Sequence, residues 1–334
     1  MHQCGYFYLW WRRAGPWILR CDDRGGPQGR GYRSAITVVT VVPYTVVEKD
    51  LTIAAALLDR PQLIQRLRAL DLRPNKALGQ NFLTDPAVLT GTVDAAELTR
   101  DDHILEIGPG PGVLTVALLE RAGRVTSVEV DRRMLAMLEP LRERHPHLRL
   151  VEGNILAMDP DELVGPEPYK VVANIPYYIT SNAIRHFLMA SHKPERLVLM
   201  LQREVAERIC ARPNDMSILA VSVQIYAEPV IVMQVPRESF YPSPQVDSAL
   251  LNIPLRAVPL VAPERERRFF RLVRAAFHDK RKMLHNSFAR NLGANRMAID
   301  AMLAEAEIAP NRRAETVSLD EWLRLLAASE HQIA

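Results

Sequence analysis

The sequence predicts an α/β protein: a Rossmann-like, doubly wound domain followed by a small all-α domain. Three observations carry that prediction. From Asp101 onward, short β-branched apolar runs alternate with stretches of helical periodicity, the pattern of a parallel sheet built from strand–helix–strand units. A glycine-rich turn, Gly108-Pro109-Gly110-Pro111-Gly112, joins the first of these strands to its helix. After Pro263 apolar residues recur at helical spacing.

The bulk numbers set wide bounds. A chain of 334 residues with 48% hydrophobic content can bury a large core and suggests about two domains. A formal net charge of +3 permits nucleic-acid binding without demanding it. Cys4, Cys21 and Cys210 lack metal-ligand spacing, so neither a zinc site nor a disulfide framework is expected, and a reducing cytoplasm is the simplest setting. No apolar stretch is long enough to span a membrane, which excludes a membrane partner of that kind.

Residues 1–55 differ from the rest. Trp10, Trp11 and Trp17 are interleaved with Arg12, Arg13 and Arg20, and a Gly/Arg-rich run follows. With no stable period there, the expectation is a disordered or non-native N-terminal extension, with a basic RNA-binding tail as the functional reading. The catalytic domain is expected over 56–258, opening on Asp59-Arg60-Pro61, an N-cap followed by proline in the first helical turn. A mixed extended segment, Lys76 to Leu83, leads to a second start of the same kind at Asp85-Pro86.

The alternation then begins. Strands are expected at His103 to Ile107, Arg124 to Val130, Leu148 to Glu152, Val171 to Ala173 and Leu197 to Gln202, with Asp131 capping one intervening helix. Ser217 to Tyr226 and Asp247 to Ile253 are expected to close the sheet edge as an antiparallel pair. The helical domain is expected over 259–334; in its first helix Phe269, Leu272, Val273 and Ala276 form an apolar stripe, with Arg267, Arg271, Arg274 and Arg281 on another face.

Polar groups fall at the ends of four consecutive strands: Gly108, Glu129, Asn154 and Asn174. Ligands of open α/β sheets bind at such strand ends. Glycines let a ligand approach the backbone, and a carboxylate 21 residues after Gly108 can accept from both hydroxyls of a ribose. That combination denotes a nucleoside-containing cofactor and by itself also admits a nicotinamide dinucleotide. Two details tilt against one: the spacing is Gly-x-Gly-x-Gly, and Pro109 and Pro111 lack the backbone donors a pyrophosphate wants. The stretch Asn174-Ile175-Pro176-Tyr177 adds an amide, a stiff backbone and a ring, which suits gripping a flat heterocycle.

Six segments, taken in order, resemble the ribosomal RNA adenine dimethyltransferase family (bacterial KsgA/RsmA type) of S-adenosylmethionine-dependent methyltransferases. They are Leu78 to Leu83, Glu106 to Gly112, Asn174 to Tyr177, Gln202 to Arg208, Phe240 to Ser248 and Arg281 to Leu284. The resemblance spans about residues 60 to 325 and implies S-adenosyl-L-methionine as cofactor. It implies that Asn81 and Leu83 contact the methionine end, Gly108 the turn-facing side, Glu129 the ribose and Asn154 the adenine, with Asn174 between cofactor and substrate. Asn154 departs from the family, which more often has Asp there; the amide can still accept from an adenine amino group.

The implied reaction is dimethylation of the exocyclic amines of two adjacent adenines in a hairpin loop near the 3′ end of small-subunit (16S) ribosomal RNA. Asn174 and the Pro176 carbonyl would hold the amine, while Tyr177 and Phe240 sandwich the flipped base. Arg271, Arg274, Lys280, Arg281 and Lys282 would track phosphates. The expected partners are the small ribosomal subunit and its RNA, with the free protein monomeric. Two rivals remain: a large-subunit RNA methyltransferase of the erythromycin-resistance type, which shares most of these motifs, and a non-catalytic ribosome assembly factor that merely retains the fold.

Overall fold

The computed structural model describes residues 56–279 and 281–333. The expectations for residues 1–55 and for Lys280 lie outside the described residues. Strands are β1 (Phe82–Leu83), β2 (His103–Ile107), β3 (Arg124–Glu129), β4 (Leu148–Glu152), β5 (Tyr169–Asn174), β6 (Arg196–Gln202), β7 (Val230–Val235), β8 (Phe240–Tyr241) and β9 (Ser248–Pro254). Seven of them form one sheet in the order β4-β3-β2-β5-β6-β9-β7. The run from β4 to β6 is parallel, and β9 returns antiparallel between β6 and β7.

The order reverses between β2 and β5. The chain moves outward through β3 and β4, then crosses back to place β5 on the other side of β2. Such a switch point opens a crevice at the carboxyl ends of the strands. Every residue of β2 is buried, as strands covered on both faces require. Leu105 and Val171 belong to one apolar cluster; Ile104 and Val172, one pleat away, belong to the other. The first cluster takes in Phe269, Phe288 and Trp322 of the C-terminal helices, so these helices pack on that face. The second takes in Leu63 and Leu67 of the helix Arg60–Ala69, together with Phe82 and Phe240.

Local chemistry explains the helix starts. Asp59, Asp85 and Asp131 each sit in extended backbone and accept a hydrogen bond from an N–H of the first turn. One expectation is overturned. Ser217 to Tyr226 is not a strand: Ile218–Gln224 is a helix, and the Ser217 hydroxyl accepts from the Ala220 N–H at 3.2 Å. Apart from Ser222 the run Ile-Leu-Ala-Val-Ser-Val is apolar at every position, the exposed Ile218 as well as the buried Ala220, Val221 and Val223, and such a run carries no periodicity to separate helix from strand. The sheet edge is instead Val230–Val235, whose burial alternates as an edge strand's does.

A two-stranded ribbon completes the crevice. Phe82 pairs with Tyr241 and Leu83 with Phe240, antiparallel, so a segment from the start of the domain and one from its end are stitched together beside the switch point.

Candidate active site

Because β4, β3, β2 and β5 are neighbours, Asn154, Glu129, Gly108 and Asn174 stand side by side along one rim. They line a cavity of about 480 Å³. Asn81 and Leu83 close it from the N-terminal segment, and Pro176, Tyr177 and Phe240 line it as well. The residues expected to hold cofactor and base are thus brought together. Arg271, Arg274, Arg281 and Lys282 do not line this cavity; they are exposed on the C-terminal segment.

The glycine turn is shaped for close approach. Gly108 has φ +64°, and the side where a Cβ would stand is open space within 4 Å. The turn spends its own amides: Gly108 N–H donates to the Val128 carbonyl, Gly112 N–H to the Pro109 carbonyl, and Gly110 N–H to Glu129 Oε2 at 3.2 Å. Pro109 and Pro111 have none. No amide from 108 to 112 is left to cradle a phosphate, so the turn suits a nucleoside better than a dinucleotide.

Glu129 is buried, with its other oxygen accepting from the Asp131 N–H at 2.9 Å. Burial pushes its carboxyl up from the usual value, opposed by the N–H groups of Asp131, Gly110 and Val130. Asp131 is itself anchored by Arg133 and by the Gln80 amide at 3.1 Å, which ties the N-terminal segment to the end of β3. Asn154 caps the short turn Ile155–Ala157, its Oδ1 accepting from the Leu156 N–H at 3.1 Å. One lone pair and the whole NH₂ group stay available to a heterocycle edge.

Asn174 ends β5. Its Nδ2 donates to the Asn81 carbonyl at 3.0 Å, which fixes the amide's orientation and leaves Oδ1 with no donor among the described residues. The Pro176 carbonyl accepts from the Ile179 N–H at 3.1 Å and keeps a second lone pair. Tyr177 is half-buried, its hydroxyl 2.8 Å from Ser248 Oγ on β9, and burial raises its pKa. Phe240 is buried beside Phe82 and Leu83, held by the ribbon.

Sequence reasoning missed Glu106, which is fully buried in β2 and lines the cavity. Its Oε2 accepts from Ser127 Oγ at 2.6 Å and Thr115 Oγ1 at 2.8 Å, while Oε1 has no partner among the described residues. Burial pushes its carboxyl up to about 7. The available signal was a lone acid inside the apolar run His103-Ile104-Leu105-Glu106-Ile107. Two carboxylates line the cavity, and among the described residues no Lys, Arg or His does.

A model of the ribosomal RNA adenine dimethylase family matches residues 72–330. A ribosomal RNA small subunit methyltransferase A of Dehalococcoides mccartyi is 42% identical over 276 residues, covering 82% of this chain and 95% of that protein. The protein of the same name from Moorella thermoacetica is 43% identical, covering 79% and 96%. Among solved structures, a dimethyladenosine transferase from Plasmodium falciparum superposes with a TM-score of 0.67 at 28% identity, over 75% of this chain and 98% of that one. The 23S rRNA methyltransferase ErmE does so with a TM-score of 0.64 at 32% identity, over 75% and 100%. With the glycine turn, the rim acids and the asparagine at the end of β5 in one cleft, these matches make the chain a member of the ribosomal RNA adenine dimethylase family, an rRNA adenine methyltransferase.

Proposed function

We propose that the protein uses S-adenosyl-L-methionine to dimethylate the exocyclic amines of two adjacent adenines in a 3′-terminal hairpin loop of small-subunit (16S) ribosomal RNA. The observation that carries the cofactor is the lining of the cavity: Glu106 and Glu129, no basic side chain among the described residues, and a glycine turn without free amides. That lining offers acceptors and no cation, which suits a cationic nucleoside and leaves a phosphate without a partner. Glu129 would take the ribose, Asn154 the adenine edge, and Asn81, Leu83 and Gly108 the methionine end. When bound, the cofactor supplies an electrophilic methyl on a sulfonium.

The chain's own residues do the rest. The lone pair of an adenine amine is delocalised into the ring, so the nitrogen must pyramidalise before it attacks. Asn174 Oδ1 and the Pro176 carbonyl accept from the amine, favour the charge that develops there and point the nitrogen at the methyl group. No strong base is needed, since the proton becomes acidic only as the new bond forms. Tyr177 and Phe240 hold the extruded ring, and Tyr177 is braced for this by Ser248.

The catalytic part corresponds to 56–258, and 259–334 helps hold RNA through Arg271, Arg274, Lys280, Arg281 and Lys282. Among the described residues no helix is long and apolar enough to cross a membrane. We place the enzyme in the cytoplasm, monomeric when free, with the small subunit as partner and a role in its biogenesis.

Methyl transfer from labelled cofactor to small subunits lacking the modification, with the product mapped, tests this. Dimethyladenine at adjacent positions near the 3′ end is expected. Label on large-subunit RNA would overturn the choice of subunit, and subunit binding without label would favour an assembly factor.

A further inference from the structure

Tyr178 is the one exposed aromatic side chain among the described residues, with 63% of its surface open to solvent. Its place at the cavity is specific. It is the middle residue of the turn Tyr177–Ile179, which is closed by the Ile179 N–H on the Pro176 carbonyl and the Thr180 N–H on the Tyr177 carbonyl. The backbone is therefore fixed, and the ring stands at the lip of the cavity that it helps to line. One ring edge faces Gly79, where a Cβ would lie 3.5 Å from Tyr178 Cε1 and 3.6 Å from Cδ1. Exposed aromatic area is unfavourable in water, and no other element of the described fold covers it.

Extrusion of an adenine exposes a second aromatic surface. The base next to it in the RNA chain loses one of its stacking partners at the moment of flipping. That neighbour stays bonded to the extruded nucleotide, so it is held at the lip while the target is inside. Lys76, which opens the short turn leading to Gly79, is exposed and has no ion pair among the described residues, a suitable counter-charge for the phosphate between the two nucleotides.

We propose that Tyr178 is the stacking platform for the nucleobase flanking the extruded adenine, and so a specificity-determining residue that favours a purine at that position. The proposal rests on the reading that the adenine enters this cavity. Tyr178 compensates the neighbour's lost stacking, which lowers the cost of flipping without touching the methyl transfer itself.

The test uses the full chain and reconstituted small subunits whose RNA carries adenine, uracil or no base beside the target, on each side in turn. Tyr178→Ala is expected to lower kcat/KM about 10-fold on the adenine-flanked RNA, in line with the loss of one base–aromatic stack. Tyr178→Phe is expected to keep the wild-type value, and the wild type and Tyr178→Ala should converge on the abasic RNA on one side. Affinity for S-adenosylmethionine, measured by calorimetry, should be the same in all three proteins. An equal loss on abasic and adenine-flanked RNA, no loss on either, or weakened cofactor binding would each overturn the platform. A wild type that methylates no adenine in any of these RNAs would instead overturn the reading of the site beneath it.

Discussion

The side chain of Asn174 donates from Nδ2 to the backbone carbonyl of Asn81, 3.0 Å away and 93 residues earlier in the chain. This bond decides which end of the amide is free. Were the amide turned over, two carbonyl oxygens would face each other, so Oδ1 is left as the unused acceptor of a residue that lines the cavity before any substrate arrives. Asn174→Ala should lower the single-turnover rate of methyl transfer by about 100-fold or more, as removal of one preorganised partner of a developing charge does elsewhere. RNA affinity should barely change. Asn174→Asp should also fail, because a carboxylate cannot donate to the Asn81 carbonyl. Parallel loss of RNA binding in either variant would mean that Asn174 organises the surface instead of the reaction.

The two outer glycines of the turn should respond differently to alanine. Gly112 has φ +93°, and a Cβ there would lie 2.5 Å from Leu138 Cδ2, so Gly112→Ala combines backbone strain with overpacking and should cost a few kcal/mol in urea unfolding, roughly. Gly108 has φ +64° with open space beside it, so Gly108→Ala should cost only about 1 kcal/mol. Its methyl group would stand in the cavity that Gly108 lines, where the proposed cofactor would approach. Calorimetry should therefore show weaker S-adenosylmethionine binding for Gly108→Ala, out of proportion to its small loss of stability.

Much of this site could be read from local signals. The strand ends, the glycine turn and the caps at Asp59, Asp85 and Asp131 depend on residues a few positions apart, where backbone sterics and hydrogen bonding act directly. What escaped depends on distance or burial. Gln80 reaches Asp131, Tyr177 reaches Ser248, and Leu83 pairs with Phe240, contacts created only when the sheet forms. The helix Ile218–Gln224 escaped because an apolar residue, Ile218, stands exposed while Ala220, Val221 and Val223 are buried, which erases the amphipathic contrast. Glu106 escaped for a related reason: a lone acid in an apolar strand reads as a break in pattern until the hydroxyls of Thr115 and Ser127 are seen around it.

Glu106 gives the protein a stability that depends on pH. Its folded-state carboxyl titrates at about 7, above the ordinary value of 4.5. Between these values the folded state holds a proton that the unfolded chain has released. The contribution is fully present below 4.5 and is lost as pH rises through 7, by on the order of 3 kcal/mol. His103 acts in the opposite direction: burial lowers it to about 4, so its contribution is present above 6.5 and lost as pH falls. Because the two slopes oppose each other between 4.5 and 6.5, the wild-type curve alone is uninformative there. The difference between wild type and Glu106→Gln isolates the acid, since Gln keeps an acceptor for both hydroxyls. That difference, from urea unfolding without cofactor, should fall from pH 4.5 to 8; a flat difference would show that Glu106 is ionised in the folded protein throughout.

The cations of the helix Pro263–His278 and the turn after it are not equivalent. Arg271 donates to the Leu292 carbonyl at 2.7 Å and so ties its helix to the end of the next, the helix Leu284–Asn291, on which Arg290 faces Asp279 at 3.7 Å. Arg274 and Arg281 are exposed and have no ion pair among the described residues. If this face tracks phosphates, those two release counterions on binding and the first does so less. Arg274→Ala with Arg281→Ala should flatten the plot of log affinity against log salt by about 1.5 and weaken every RNA alike. Arg271→Ala should instead lower the melting temperature, because it removes a bond that holds two helices together. An unchanged salt slope in the double variant would reduce the stripe to a solvated face and leave RNA recognition to the rim of the cavity.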